Sequence, residues 1–263
     1  MSLWLLNHLG TFTLTVVVVG GTVILAVAGS VTVRRRCPAV VEGEHNDMVG
    51  VTLGMFGAIY GIILAFVIVT LWTQMEATQT IIASEATDAA LIARDAAAFP
   101  PPVHDRVSTA ISGYVHAVVE DQWPRMRAGQ PSYGATEVHL RAAFEVLQTY
   151  EPKTEREQIF YQEAVTHLND IAAQRRARLT MAEQQLPPLL QVLAFGGALV
   201  LIPLTFLYGI RSVVIQLLFV ASVAVLIGFS LLLVLVLDRP FAGELSVSPA
   251  PYRQGALSQY WTS

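Results

Sequence analysis

Cysteine and lysine are nearly missing from this 263-residue chain, in which Cys37 is the single thiol and Lys153 the single lysine among sixteen basic residues. One thiol excludes an intrachain disulfide and any cysteine-built metal cluster. Charge of either sign is also scarce: 14% of residues are charged against 54% hydrophobic, and the net charge is −4. No basic run is interleaved with aromatics, so nucleic acid has no electrostatic footprint here. There is no nucleophile elbow, no glycine-rich phosphate loop behind a strand, and no recognisable frame of paired carboxylates. Neither an enzyme nor a bound cofactor is expected.

The chain has long uncharged runs instead, and a mean hydropathy of +0.53, too high for an ordinary soluble protein of this length. Crossing the hydrocarbon of a bilayer takes roughly 20 apolar residues in a helix. The first run, 11–33, carries Gly20, Gly21, Ala26, Ala28 and Gly29, small residues that let membrane helices approach closely. It lacks a positive n-region and outruns a signal peptide, so a retained first span is expected. Arg34-Arg35-Arg36 closes it, beside Cys37, and the loop CPAVVEGEHND leads to a second span, 46–72. Residues 189–208, with Gly196-Gly197 and Pro203, form a third span, and 213–237 a fourth. By the positive-inside rule, Arg34–Arg36 and Arg211 place those loops in the cytoplasm and everything between the second and third spans outside the cell membrane.

After Trp72 the apolar run stops, but helical patterning continues through Met75, Ile81, Ile82, Ala86, Ala89 and Ile92 to Pro100. The second span therefore projects from the bilayer as one long helix, able to carry a signal between the two environments. Three further helices follow: 103–122 ending at Trp123-Pro124, 135–150, and one opened by a capping box at Thr154-Glu155-Arg156-Glu157 and running to Leu186. The organisation expected is all-α: a first transmembrane hairpin (1–73), a soluble helical domain (74–186), a second transmembrane hairpin (187–237) and an extramembrane tail (238–263). Over 74–186, fifteen acidic residues outnumber ten basic ones, which makes a mildly acidic surface.

The second span has two unlike sides. At about 100° per residue, Gly50, Gly54, Gly57 and Gly61 fall in one stripe, which reads as a helix-packing surface. Thr52, Phe56, Ile59, Ile63, Phe66 and Thr70 line the opposite side, bulky and apolar with a hydroxyl at each end. Such a side faces lipid or other helices, or, in an oligomer, an axis where rings of Phe and Ile gate ions by dewetting. Near its inner end lie Glu42, Glu44, His45, Asn46 and Asp47; near its outer end, Glu76, Glu85 and Asp88. Carboxylate rings there would concentrate cations.

The chain resembles the DUF4239 family of bestrophin-like membrane proteins from His45 onward. The resemblance is carried by His45-Asn46-Asp47 before GAIYGIILAF (57–66), Trp72, the Glu85 region, Gln122-Trp123-Pro124, Arg175–Arg178 leading to Leu186-Pro187, and LDRPFAGELSVSP (237–249). It implies an oligomeric ion channel, typically a pentamer, with the second membrane helix lining a pore narrowed by apolar side chains. Phe56, Ile59, Ile63 and Phe66 would then be the neck. Unlike bestrophins, this chain has no clustered acidic run like their calcium clasp, and its arginines put the helical domain outside. The arginine bias fits a bacterial source.

Two helical spacings could converge metal ligands: His116 with Glu120, and Glu163, His167 and Asp170 at i, i+4 and i+7. Neither is the Glu-x-x-His of di-iron bundles, so solvated helix faces and no metal are expected. Asp238 and Arg239 read as a helix stop. The expected function is a bestrophin-like channel with a cation preference; the alternative is a non-conducting membrane scaffold or sensor that binds a partner through its helical domain. A scaffold would bury the Phe/Ile side of the second span against the first or third span of its own chain, whereas a pore requires that side to point at a symmetry axis with water above and below it.

Overall fold

The computed structural model describes residues 2–38 and 45–261. Among these there is no strand, and the helices are α1 (Ser2–His8), α2 (Thr11–Arg36), α3 (Asn46–Asp95), α4 (Pro101–His116), α5 (Trp123–Arg127), α6 (Gly134–Thr149), α7 (Glu155–Glu183), α8 (Pro188–Phe206) and α9 (Val213–Leu237). Four stretches, in α2, α3, α8 and α9, are long and apolar enough to cross a membrane. The chain divides into two compact units: 1–73 with 185–239, and 74–184 with 240–263.

In the first unit the helices meet at small residues. A Cβ added to Gly29 of α2 would sit 2.8 Å from the Phe206 ring, and one on Gly228 of α9 would sit 3.2 Å from the Val19 backbone. Ala26, Phe206, Val220 and Ala224 form a buried cluster there. This is how apolar helices associate where no hydrophobic effect separates them from lipid: backbones approach through small residues, and dispersion does the rest.

Polar clamps hold the ends of these helices. Arg34 donates from Nη1 to the Ile210 carbonyl at 2.8 Å, from Nη2 to the Arg211 carbonyl at 3.0 Å, and also to Gln216 Oε1. Asn46 grips the same turn, donating from Nδ2 to the Gly209 carbonyl (2.8 Å) while its Oδ1 accepts the Gly209 N–H (2.7 Å). At the other end of the pair α8 and α9, Asp238 Oδ1 accepts the Leu186 N–H at 2.5 Å. Asp238 is thus a cap for the chain entering α8, with Arg239 4.0 Å from its other oxygen.

The second unit is a helical bundle around one core that draws on α3, α4, α6, α7 and the C-terminal segment. The helix expected to stop at Trp123-Pro124 continues. Its backbone widens into a π-helical turn at Ala117–Gln122, which accommodates the missing N–H of Pro124, and α5 then buries Trp123 and Met126. Thr154 caps α7, its Oγ1 accepting the Glu157 N–H at 3.1 Å; the Glu157 carboxylate turns back to the Lys153 N–H at 2.8 Å and the Tyr150 hydroxyl at 2.6 Å. That helix ends at Glu183, before Leu186, because the Pro187-Pro188 pair opens the next. The residues beyond Pro240 pack into the bundle rather than trailing from it: Phe241, Val247, Tyr252 and Leu257 lie in its core, with Trp123 edge-on to both Phe241 and Tyr252.

A glycine pair tests where packing is tight. At Gly197 an added Cβ would lie 2.3 Å from the Tyr60 ring, whereas at Gly54 it meets nothing within 4 Å. Gly197→Ala is expected to cost about 1–3 kcal/mol by overpacking, while Gly54→Ala gains up to about 1 kcal/mol of helix propensity. Thermal unfolding of the two purified variants measures the difference.

Candidate functional site

Gly54, Gly57 and Gly61 are not where α3 packs within its chain, since each opens on empty space; only Gly50 has a neighbour, the Tyr208 ring 3.5 Å away. The buried line is a third one, Tyr60, Leu64, Val67 and Leu71. It lies roughly 90° from both the Gly stripe and the Phe/Ile face. Here α3 supplies the bulk and α8 the gap: the Tyr60 ring rests on Gly197 and its hydroxyl donates to the Ala194 carbonyl at 2.6 Å.

Both flanks of that line are open. On one, Gly57 and Gly61 border an apolar groove of about 500 Å³ that Leu201, Phe219 and Leu226 complete. On the other, Phe56, Ile59 and Ile63 border a groove of about 540 Å³ with Leu189, Val192 and Leu193. Phe56, Ile59 and Phe66 are 52%, 58% and 70% exposed, and Ile63 is half-buried. Thr52 is half-buried at one end of this face; at the other, Thr70 is exposed and spends its hydroxyl on its own helix, donating to the Phe66 carbonyl at 2.8 Å.

The residues expected at the two ends of this face have different fates. His45 and Asp47 are exposed, Asn46 is spent on Gly209, and Glu42 and Glu44 lie outside the described residues. Glu76 is exposed. Glu85 is not a mouth carboxylate: it is completely buried in the bundle, because an arginine more than ninety residues away pairs with it.

That arginine is Arg178, itself wholly buried. Its Nε donates to Glu85 Oε2 at 2.7 Å and its Nη2 to Oε1 at 3.0 Å, a two-pronged pair. Tyr114 donates to Glu85 Oε1 at 2.6 Å, and Arg178 also reaches Gln122 Oε1 (2.7 Å) and the Met126 sulfur (3.4 Å). Gln122 passes the network on, donating to the Ser132 carbonyl at 2.7 Å. Tyr252 places its hydroxyl in the same pocket without a hydrogen bond. Burial, and then the Glu85 charge, push the Tyr114 and Tyr252 hydroxyls well above their ordinary range, so both stay neutral. Burial opposes the charge on Arg178, but Glu85 outweighs it and raises its pKa. Nothing in the spacing of Glu85 and Arg178 announced their pairing; the only sequence signal was two charged side chains at positions of the buried helical period.

A second charged group sits beside it. Asp88 and Asp95 of α3 face Glu163, His167 and Asp170 of α7, with His167 Nδ1 3.4 Å from Asp88 Oδ1 and Nε2 3.8 Å from Asp95 Oδ2. Burial, and the neighbouring Asp170 carboxylate, raise the pKa of Asp88 against the opposing pull of His167. His116 goes elsewhere: its ring bonds its own helix at Ser112 and stacks on Trp261.

Membrane-length apolar helices joined to a helical bundle with a buried polar core define an all-helical membrane protein. The chain belongs to the bestrophin-like family, whose domain model matches residues 20–252. Its fold is similar to crystal structures of two point variants of a bacterial bestrophin homologue from Klebsiella pneumoniae. One is 13% identical with a TM-score of 0.65, over 93% of this chain and 99% of that one. The other is 14% identical with a TM-score of 0.61, over the same shares. A third structure, of a membrane protein, is 14% identical with a TM-score of 0.57, over 92% and 95%. No curated protein matches the sequence.

Removing one partner of the buried pair strands the other. Glu85→Leu or Arg178→Met alone is expected to cost about 3–5 kcal/mol, and the double variant less than either single one. Unfolding of the detergent-purified proteins, followed by circular dichroism, provides the comparison.

Proposed function

We propose that this chain is one subunit of an oligomeric ion channel whose pore is lined by α3. The observation that carries the reading is the uncovered face of that helix: Phe56, Ile59 and Phe66 stay more than half exposed although α3 has neighbours in its own chain. A scaffold would have buried those side chains against α2 or α8. In a ring of subunits, five by resemblance to bestrophins, the same face turned to the axis makes stacked apolar collars with a hydrated mouth at each end. Membership of the bestrophin-like family and likeness in fold to a bacterial bestrophin homologue support the same reading.

Permeant ions are cations in this proposal. Among the described residues, Asp47 at one end and Glu76 at the other are exposed carboxylates that would form charged rings, with Glu85 withdrawn into the bundle. In this reading the bundle of 74–184 is a soluble domain, and the positive-inside rule applied to Arg34–Arg36 and Arg211 favours the outer side of the cell membrane for it. Bilayer lipid covers what the neighbouring subunits leave open.

Purified protein reconstituted in planar bilayers is expected to conduct, and Ile63→Ala with Phe66→Ala to raise the open current or its open probability several-fold. Silence from both, in an oligomer whose mass is intact, ends the channel reading. Under a salt gradient the reversal potential is expected on the cation side, and Asp47→Asn moves it toward zero; an unmoved or anion-side value overturns the selectivity.

A further inference from the structure

His167 has no good hydrogen bond for either ring nitrogen, although carboxylates surround it. Its Nδ1 is shut off from solvent and unpartnered. Asp88 Oδ1 lies 3.4 Å from that nitrogen, and ligand atoms of Asp88, His167 and Asp170 all lie within 4.8 Å of one another. On the ring's other side, Asp95 is wholly buried, and its Oδ2, also unpartnered, points at His167 Nε2 from 3.8 Å. Glu163 Oε2 stands 3.9 Å from the same nitrogen at the solvent edge. Four carboxylates thus face one imidazole. The compensating charge nearby is Arg94, which bonds Asp95 Oδ1 at 3.1 Å while most of its side chain is in water. Arg178 is already committed to Glu85.

Protonating His167 does not resolve this arrangement. An imidazolium bonded to Asp88 and Asp95 would draw both oxygens to about 2.8 Å, and neither is there. A metal ion does resolve it. Ligand atoms held about 2.1 Å from a common centre stand about 3.0–3.4 Å apart, which is the His167–Asp88 separation. With Nδ1 as the ligand, Nε2 carries the proton and faces Asp95, the carboxylate–histidine–metal relay that fixes tautomer and ring orientation.

We infer that Asp88, His167 and Asp170 bind a divalent first-row transition metal of the Zn²⁺ or Mn²⁺ kind, with Asp95 orienting the imidazole from behind. The mixed nitrogen and carboxylate donors select such ions over Mg²⁺ or Ca²⁺, which favour all-oxygen shells. Asp170, exposed, is the entry side, and Glu163 stands close enough to become a further ligand. The spacing of Glu163, His167 and Asp170, read in the sequence as a solvated face, becomes a half-site once α3 supplies Asp88. The site does not depend on whether the protein conducts.

Full-length protein, stripped with chelator and dialysed, is titrated with Zn²⁺ alone and with Mn²⁺ alone by calorimetry, and bound metal is counted by mass spectrometry. One ion per chain is expected, with at least tenfold weaker binding in Asp170→Asn and in His167→Gln. Asp170 is exposed, so its variant keeps the fold, which circular dichroism checks. Bound Mn²⁺ should show a nitrogen coupling in its electron-spin-echo spectrum that His167→Gln removes. Wild type that takes up neither ion, Asp170→Asn that binds as tightly as wild type, or a site that prefers Ca²⁺ overturns the assignment.

Discussion

A guanidinium and a carboxylate with no water around them constrain this molecule more than any apolar contact does. Taking either charge out of water costs several kcal/mol, and the loss is recovered only where geometry and hydrogen bonds are complete. Glu85 and Arg178 meet that condition through the two-pronged pair, with Tyr114, Gln122 and Met126 taking the remaining valences. Those five side chains come from α3, α4, the π-turn, α5 and α7. A one-residue slip of any helix would strand a charge, whereas Leu or Ile cores tolerate such slips at modest cost. The pair therefore acts first on register. The widened turn at Ala117–Gln122 follows the same logic: it aims Gln122 inward at Arg178 and lets the chain run on past Pro124.

The membrane unit obeys a different constraint, because lipid offers its helices no hydrogen bonds and little hydrophobic reward for association. Apart from the Tyr60 hydroxyl on the Ala194 carbonyl, the polar clamps between its helices gather at the helix ends. Arg34 and Asn46 satisfy the backbone of the Gly209–Arg211 turn, and Asp238 satisfies the entry to α8. Between those ends, Gly29, Gly197 and Gly228 set how closely the backbones approach. Arg34, which the sequence offers as a topology signal, is also a structural clamp.

The sequence makes the spans, the long second helix and the cap at Thr154 readable because each is written in neighbouring residues: an uncharged run, a continuing period, a hydroxyl three residues before an acid. Its limits lie in choosing partners. The two faces of α3 are real, but periodicity shows that faces differ, not which neighbour will seat against them. The Gly stripe looked like the socket, yet the socket is on α8 and Tyr60 is the knob. Glu85 departs from its local pattern for a related reason. A lone carboxylate on an amphipathic helix defaults to solvent, and only an arginine on another helix ninety-three residues further on changes that. The C-terminal segment, rich in Pro, Ser and Gly, has no period to read, so nothing local shows that Phe241 and Tyr252 complete a core.

The long helix links these observations. α3 runs unbroken from Asn46 to Asp95, and between Gly61 and Pro100 it contains neither glycine nor proline, so nothing in its sequence provides a hinge there. The uncovered Phe/Ile face, Glu85, and the Asp88 and Asp95 carboxylates thus all belong to this one helix. The Arg178 pair, complete and buried, fixes the register of its Glu85 segment against α7. His167, with its bonds unfilled, faces that same helix from α7, where an added charge would meet Asp88 and Asp95.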